Sequence, residues 1–316
     1  MNKIYDVAVI GSGPAGLTAA IYTTRGAAST VIIGGDSWGG QLMLTSVVDN
    51  FPGFPEGIMG PDLMEKIKAQ AVRFGAEFIQ KNVSSVDFST RPFVLKTSDQ
   101  ELRANSVIVA TGAETKWLGI PGEKELIGRG VSSCAPCDAP FFKEKEVLVI
   151  GGGDSAMEEA LVLSKFASKV TIIHRRGEFK ASKIMQDKVF ANKKISVIWD
   201  SEVTKVEGDG KVEQVEIKNT KTEKLGQIKC DGVFVAIGHS PSTQIFKGIL
   251  DMDEKGYIVP SQKSEIKSQK YNTQTSIEGV FVSGDVHDYR YKQAITAAGF
   301  GCMAAIDALN FLENEK

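Results

Sequence analysis

Seven short apolar runs, rich in Val and Ile, punctuate the chain at residues 5–13, 29–35, 105–112, 145–153, 168–176, 231–238 and 278–285. Most of them close on glycine, and within them apolar positions follow one another instead of alternating with polar ones. That is the pattern of strands covered on both faces of a parallel sheet, each feeding a tight turn. Helical spacing follows several of the runs, as in PAGLTAAIYTTRG from Pro14 and DSAMEEALVLSKFA from Asp154. The order strand, glycine turn, helix, strand occurs twice and predicts an α/β fold of two Rossmann-like dinucleotide-binding domains.

The two units are copies of one pattern. VAVIGSGPAGLTAA from Val7 is echoed by VLVIGGGDSAMEEA from Val147, TVIIGG by VTIIHRR, and VIVATG by VFVAIG. The last run, GVFVSGDV, has no counterpart inside the second unit. The second unit is therefore expected to be inserted into the first, with chain crossings near residues 111–116 and 237–243. This places a discontinuous domain at 1–114 and 243–316 and an inserted one at 115–242, joined by a double hinge.

The glycine turns predict phosphate chemistry. In GSGPAG, Gly11 permits the tight turn, Gly13 lets backbone approach a pyrophosphate, and Gly16 lets the helix pack closely on the strand. The anion then faces a helix N-terminus, where free N–H groups and the dipole favour it. Gly151, Gly153 and Ala156 take the same roles in GGGDSA. The end of each unit's second strand reads the ribose 2′ position, and in the second unit it holds His174, Arg175 and Arg176. Guanidinium forks suit a 2′-phosphate, so the ligand expected there is NADP(H) and not NAD. The matching place in the first unit, IIGGDS, has no basic residue, and its nearest carboxylate is Asp36. FAD is the expectation for that unit. Gly284 and Asp285 in SGDV support it, since two-dinucleotide flavoproteins place such a carboxylate near the ribitol hydroxyls.

Cys134 and Cys137 stand in SSCAPCDAPFF. A zinc site would call for a second pair or a Cys/His cluster, but Cys230 and Cys302 are single and His174, His239 and His287 lie far apart. No metal is expected. A structural staple across so short a loop would stabilise little, which favours a redox pair stiffened by Pro136. Cys230 and Cys302 read as buried, inert thiols.

Composition narrows the partners. A formal charge of −2 without any basic block disfavours nucleic acid and anionic membrane. No apolar run is expected to reach the roughly 18–20 residues of a membrane span, and a strand pattern begins too early for a signal peptide. Four cysteines in 316 residues fit a reducing cytoplasm better than a disulfide scaffold.

Taken together, GSGPAG, GGQL at 39–42, NFPGF at 50–54, ATG at 110–112, GRGVSSCAPCD at 128–138, GGGDSAMEEA, HRR, SGDV and KQAITAAGFGCMAA from Lys292 resemble the bacterial-type, low-molecular-weight thioredoxin reductases. The resemblance covers essentially the whole chain. It implies hydride transfer from NADPH to FAD, then reduction of the Cys134–Cys137 disulfide, then thiol–disulfide exchange with thioredoxin. By the same resemblance Cys137 would face the flavin, Cys134 would attack thioredoxin, and Asp138 would protonate a departing thiolate. Gly11, Ser12, Gly13, Pro14, Ala15, Gly16, Gln41, Leu42, Asn50, Val83, Ala110, Thr111, Gly112, Gly284, Asp285, Lys292, Gln293 and Ala294 would hold FAD. NADPH would fall to Gly151, Gly153, Asp154, Ser155, Ala156, His174, Arg175, Arg176, Lys180, Ile237 and Gly238. A homodimer is implied as well.

The chain departs from the family pattern at three places. Lys180 and Lys292 stand where arginine is usual, which keeps the charge and loses the fork. CDAPFF replaces an Asp-Gly-aromatic run, and Phe141 and Phe142 are expected to dock thioredoxin. Because the cysteines precede Gly151 so closely, disulfide and nicotinamide would share one unit and reach the flavin alternately by rotation about the hinge. An oxygen-using dithiol oxidase, a ferredoxin-fed reductase and a non-enzymatic redox sensor are the rival readings; GGGDSA with HRR disfavours the first two, and the lack of an output domain the third.

Overall fold

A computed structural model describes residues 3–45, 47–261 and 271–315. The chain divides into two compact units, residues 1–114 with 240–316, and residues 115–239. The return boundary falls earlier than the expected 242/243. Ser242 already belongs to the first unit, because its N–H donates to the Gly112 carbonyl and its own carbonyl accepts from Thr111 Oγ1. The crossing segments, Ala113–Thr115 and His239–Pro241, form a two-stranded ribbon.

In the first unit, parallel strands Glu77–Ile79, Thr30–Ile33, Ile4–Ile10, Glu101–Val109 and Val280–Val282 lie side by side in that order. Strand Glu101–Val109 serves two neighbours. Its second half pairs with Val280–Val282, and its first half starts an antiparallel meander through Phe93–Lys96 and Ser85–Asp87. Successive side chains of a strand face opposite ways. Val7 and Val9 accordingly enter one core, with Leu17, Ile108 and Phe281, while Ala8 and Ile10 enter another, with Phe93, Val107 and Val280. Burial on both faces is why these runs read as continuous apolar sequence.

The second unit repeats the plan. Strands Val131–Ser132, Gly232–Val235, Glu146–Ile150, Lys169–Ile173 and Ile195–Ile198 form a parallel sheet in that order. Val147 and Val149 face one core and Leu148 and Ile150 the other. A second, antiparallel sheet of Ser201–Glu207, Gln214–Asn219 and Leu225–Lys229 adds to it.

One expectation needs correction. Helix Ala294–Asn314 spans 21 residues, and its mean hydropathy reaches 1.5 over an 18-residue window, so by length and composition it could cross a membrane. Its large apolar residues, such as Ile295, Phe300, Ile306 and Leu309, are spaced apart by Ala, Gly, Thr296 and Asp307, which hides it from a search for unbroken apolar stretches. Ala297, Gly301, Ala304, Ala305, Ala308 and Phe311 are its buried positions, five of them in the core shared with helix Pro14–Arg25. At Gly301 a Cβ would lie 2.2 Å from the Ala15 carbonyl oxygen. Gly301→Ala should therefore cost about 1–3 kcal/mol by overpacking, read as a lower denaturant midpoint at unchanged slope.

Candidate active site and nucleotide cradles

The flavin-side candidates gather at the C-terminal ends of the first unit's parallel strands, where open α/β sheets bind ligands. Gly11 has φ +113°, and a Cβ there would lie 2.2 Å from the Ala110 carbonyl oxygen; at Gly16 it would lie 2.1 Å from that of Gly11. Glycine is thus required at both. Gly13 is the extended N-cap of helix Pro14–Arg25, which has no side-chain cap, and the space where a Cβ of Gly13 would point is open. An uncapped helix start behind an open glycine fits a pyrophosphate. Ser12 fixes this turn from beneath: its buried hydroxyl donates to the Gly34 carbonyl at 2.6 Å and accepts from Gly39 N–H at 2.9 Å.

Long-range pairs complete the cradle. Asn50 Nδ2 donates to Gln293 Oε1 at 3.1 Å, and Gln293 caps helix Ala294–Asn314 in a capping box with Thr296. Gln41 and Leu42 lie on a short 3₁₀ turn, Gly40–Leu44, and Val83 packs at the edge of the second core. Ala110 is buried, and Thr111 spends its hydroxyl on the Ser242 carbonyl at 2.7 Å. Asp285 carries the clearest signal. Its Oδ1 is buried with no hydrogen-bond partner among the described residues. Burial first, then Asp288, pushes its pKa up to about 7 against the opposing pull of Lys292. A buried carboxylate oxygen without a protein partner fits a donor such as a sugar-alcohol hydroxyl. Sequence reasoning missed Asn82, which holds Asp36 by accepting its N–H at 3.2 Å and donating to its carboxylate.

The second cradle has the same frame. A Cβ on Gly151 would lie 2.4 Å from the Ala236 carbonyl oxygen and 2.8 Å from Ala156 Cβ. Gly153 caps helix Asp154–Leu163 without a side-chain bond, again with open space beside it. Ser155 is exposed on the first turn, Ile237 is exposed, and Gly238 has φ +103°. Arg175, Arg176 and Lys180 are exposed and have no carboxylate partner among the described residues. His174 is placed differently from the arginines that follow it. Its ring is buried against Phe179 and Trp199, and a Cβ on Gly152 would lie 2.2 Å from its Cε1. Burial, as the largest cause, holds its pKa below the ordinary value. Gly152, the middle residue of GGG, has no assigned role in the sequence motif, yet the buried imidazole leaves it no room for a side chain.

Cys134 and Cys137 form a disulfide with Cα atoms 5.3 Å apart. Cys134 caps the single helical turn Ala135–Asp138, with Pro136 at its start. Two partners that no sequence motif announced hold this turn. Ser132 Oγ accepts from Cys134 N–H at 3.1 Å, and the Glu159 carboxylate accepts from Ala135 N–H. Asp138 is set in poorly hydrated surroundings: burial raises its pKa, and a hydrogen bond from Ser132 offsets part of that rise. Such a carboxyl keeps its proton to higher pH than a solvated aspartate.

The residues after the pair correct one expectation. Phe142 is not a docking residue, because it is buried 5.1 Å from Phe234 in a T-shaped contact and fills the space beside Gly232. Ala139 is fully buried, Pro140 opens the 3₁₀ turn Ala139–Phe142, and Phe141 is left 44% exposed. The other two thiols also differ from each other. Cys230 is buried and its pKa is pushed up to about 12, chiefly by burial, whereas Cys302 is only half-buried.

Residues 5–301 match the family described as pyridine nucleotide-disulphide oxidoreductase. The chain is 51% identical over 316 residues to a thioredoxin reductase of Rickettsia prowazekii, covering 99% of each. It is 51% identical over 314 residues to one of Streptomyces coelicolor, covering 99% of this chain and 95% of that protein. Among solved structures, a thioredoxin reductase of Giardia duodenalis superposes with a TM-score of 0.92 at 42% identity, covering 99% of this chain and 100% of the other. That of Streptococcus pyogenes gives 0.92 at 40% identity with the same coverage. With two glycine cradles and a closed Cys-x-x-Cys disulfide on one chain, and relatives alike from end to end, the chain belongs to the pyridine nucleotide-disulphide oxidoreductases, within their low-molecular-weight thioredoxin reductases.

Proposed function

We propose that the chain is an NADPH-dependent thioredoxin reductase that carries FAD in the first unit and takes NADPH in the second. The observation that carries this reading is the Cys134–Cys137 disulfide with half-buried Asp138 directly after it, on the unit that also bears Arg175 and Arg176. The bound flavin would convert a hydride from the nicotinamide into the electron pair that reduces a disulfide. Two electrons and two protons turn the Cys134–Cys137 bond into two thiols. The Cys134 thiolate then attacks one sulfur of a thioredoxin disulfide, and the other sulfur leaves as a thiolate that Asp138 protonates. Cys137, as thiolate, attacks Cys134 Sγ, expels the thioredoxin sulfur and re-forms the disulfide.

Mixing the protein with NADPH tests this reading. The flavin should bleach, and added thioredoxin should restore its colour and be reduced in equal amount. An unbleached flavin would exclude an NADPH reductase and favour an oxygen-using oxidase.

Thioredoxin would dock on Phe141 and Pro140, which the 3₁₀ turn leaves exposed. Phe141→Ala should raise the KM for thioredoxin on the order of tenfold, as loss of an aromatic anchor does, with NADPH-driven bleaching unchanged. Phe142→Ala should instead destabilise the second unit by about 3–5 kcal/mol, seen in thermal unfolding. A homodimer is supported by the exposed apolar side chains Tyr22, Ile295, Met303 and Ile306 on helices Pro14–Arg25 and Ala294–Asn314, and sedimentation equilibrium would test it. A reducing cytoplasm suits the two unpaired thiols, Cys230 and Cys302.

A further inference from the structure

The helix that follows the second glycine turn opens on a carboxylate. Asp154 is the first residue of helix Asp154–Leu163, directly after Gly153, and it is exposed. A carboxylate there suits the helix dipole but repels the anion that the same N-terminus would hold. Its hydrogen bonds give it a different task. One carboxylate oxygen, Oδ1, accepts from both Ser182 N–H and Ser182 Oγ–H, each at 2.8 Å.

Those bonds belong to a larger fastening. The Gly152 carbonyl accepts from Lys180 N–H at 2.8 Å and from Ala181 N–H at 3.1 Å. Three consecutive amides, of Lys180, Ala181 and Ser182, are therefore tied to the glycine turn, two at Gly152 and one at Asp154. The other end of the loop is held by the small sheet, where Ser201 N–H donates to the His174 carbonyl at 3.1 Å and Asp200 N–H to the Arg176 carbonyl at 3.3 Å. Between these anchors stand Arg175, Arg176 and Lys180, exposed cations on long flexible stems. Each loses rotamer entropy when it closes on a phosphate, so a backbone already set in place lowers the cost of binding. Ser182 also begins helix Lys183–Phe190 as its N-cap, so the same fastening sets where that helix starts.

We infer that Asp154 is a positioning residue for recognition of the nucleotide's 2′-phosphate: by holding Ser182 it places the Lys180 end of the basic loop against the glycine turn. Asp154, among the residues that the family resemblance assigns to NADPH, would act there through the loop it holds. The inference rests on the proposed NADPH site in this unit. It extends that proposal by assigning part of the discrimination at the 2′ position to a side chain that acts through Ser182.

The test is binding to the flavin-loaded protein, followed by calorimetry with adenosine 2′,5′-bisphosphate and adenosine 5′-monophosphate, which differ only in the 2′-phosphate. The unaltered protein should prefer the bisphosphate. Asp154→Ala should lower that preference roughly fivefold, the loss expected for hydrogen bonds of this strength. Asp154→Asn, whose amide oxygen can still accept from Ser182, should restore the preference. Ser182→Ala, which keeps the amide bond and loses the hydroxyl, should fall between. If the preference survives in Asp154→Ala, or if both ligands weaken equally, the positioning role is wrong. If the unaltered protein shows no preference for the bisphosphate, it is the NADPH reading that fails.

Discussion

Replacing either cysteine of the pair by serine is expected to bring NADPH-driven reduction of thioredoxin down to the assay background while NADPH still bleaches the flavin. Serine is close to cysteine in size, and the two sites are half-buried, so the fold should tolerate it. The bridge spans a separation of three residues, too short a loop for its loss to unfold a unit with two cores. A hydroxyl, however, can neither accept an electron pair as a disulfide nor exchange with one. The two variants differ in what they trap. Cys137→Ser leaves Cys134 able to attack thioredoxin without a partner to release it, so a mixed disulfide should accumulate on a non-reducing gel; Cys134→Ser should accumulate none. The reverse pattern would exchange the two roles, and turnover by either variant would remove the disulfide from the path.

The parts of this molecule that can be read from sequence are those whose cause is local. The seven apolar runs betray their strands because both faces are covered, with Val7 and Val9 on one side and Ala8 and Ile10 on the other. The meander Ser85–Asp87 with Phe93–Lys96 and the sheet from Ser201 to Lys229 bury only alternate positions of short strands and leave the others exposed, so they stand out far less. Glycine turns and a basic strand end are compact signals for the same reason, since each is set by a few neighbouring residues. What holds them in place is not local. Asn50 meets Gln293, Asn82 meets Asp36 and Asp154 meets Ser182 across long stretches of chain. Phe141 and Phe142 are adjacent and chemically identical, and only the path of the 3₁₀ turn sends one to solvent and the other into the core.

Discrimination between NADPH and NADH should collapse in the double variant Arg175→Ala, Arg176→Ala. Neither guanidinium has a carboxylate partner among the described residues, so removing them leaves no orphaned buried charge and the loss should fall on the ligand, not on the fold. A hydrogen bond to a charged group contributes about 1.5–3 kcal/mol. Two such groups at an exposed, salt-screened site should then change the ratio of kcat/KM for NADPH over NADH by roughly 10²- to 10³-fold. The NADH value itself should hold, because the variant removes only contacts that a free 2′-hydroxyl does not make. Arg176→Lys should lose less, keeping the charge without the fork. The same ratio measured at rising ionic strength should fall steeply in the unaltered protein and only weakly in the double variant, where Lys180 is the one cation of the three left to be screened; an unchanged ratio in the double variant would place 2′-phosphate recognition outside this loop.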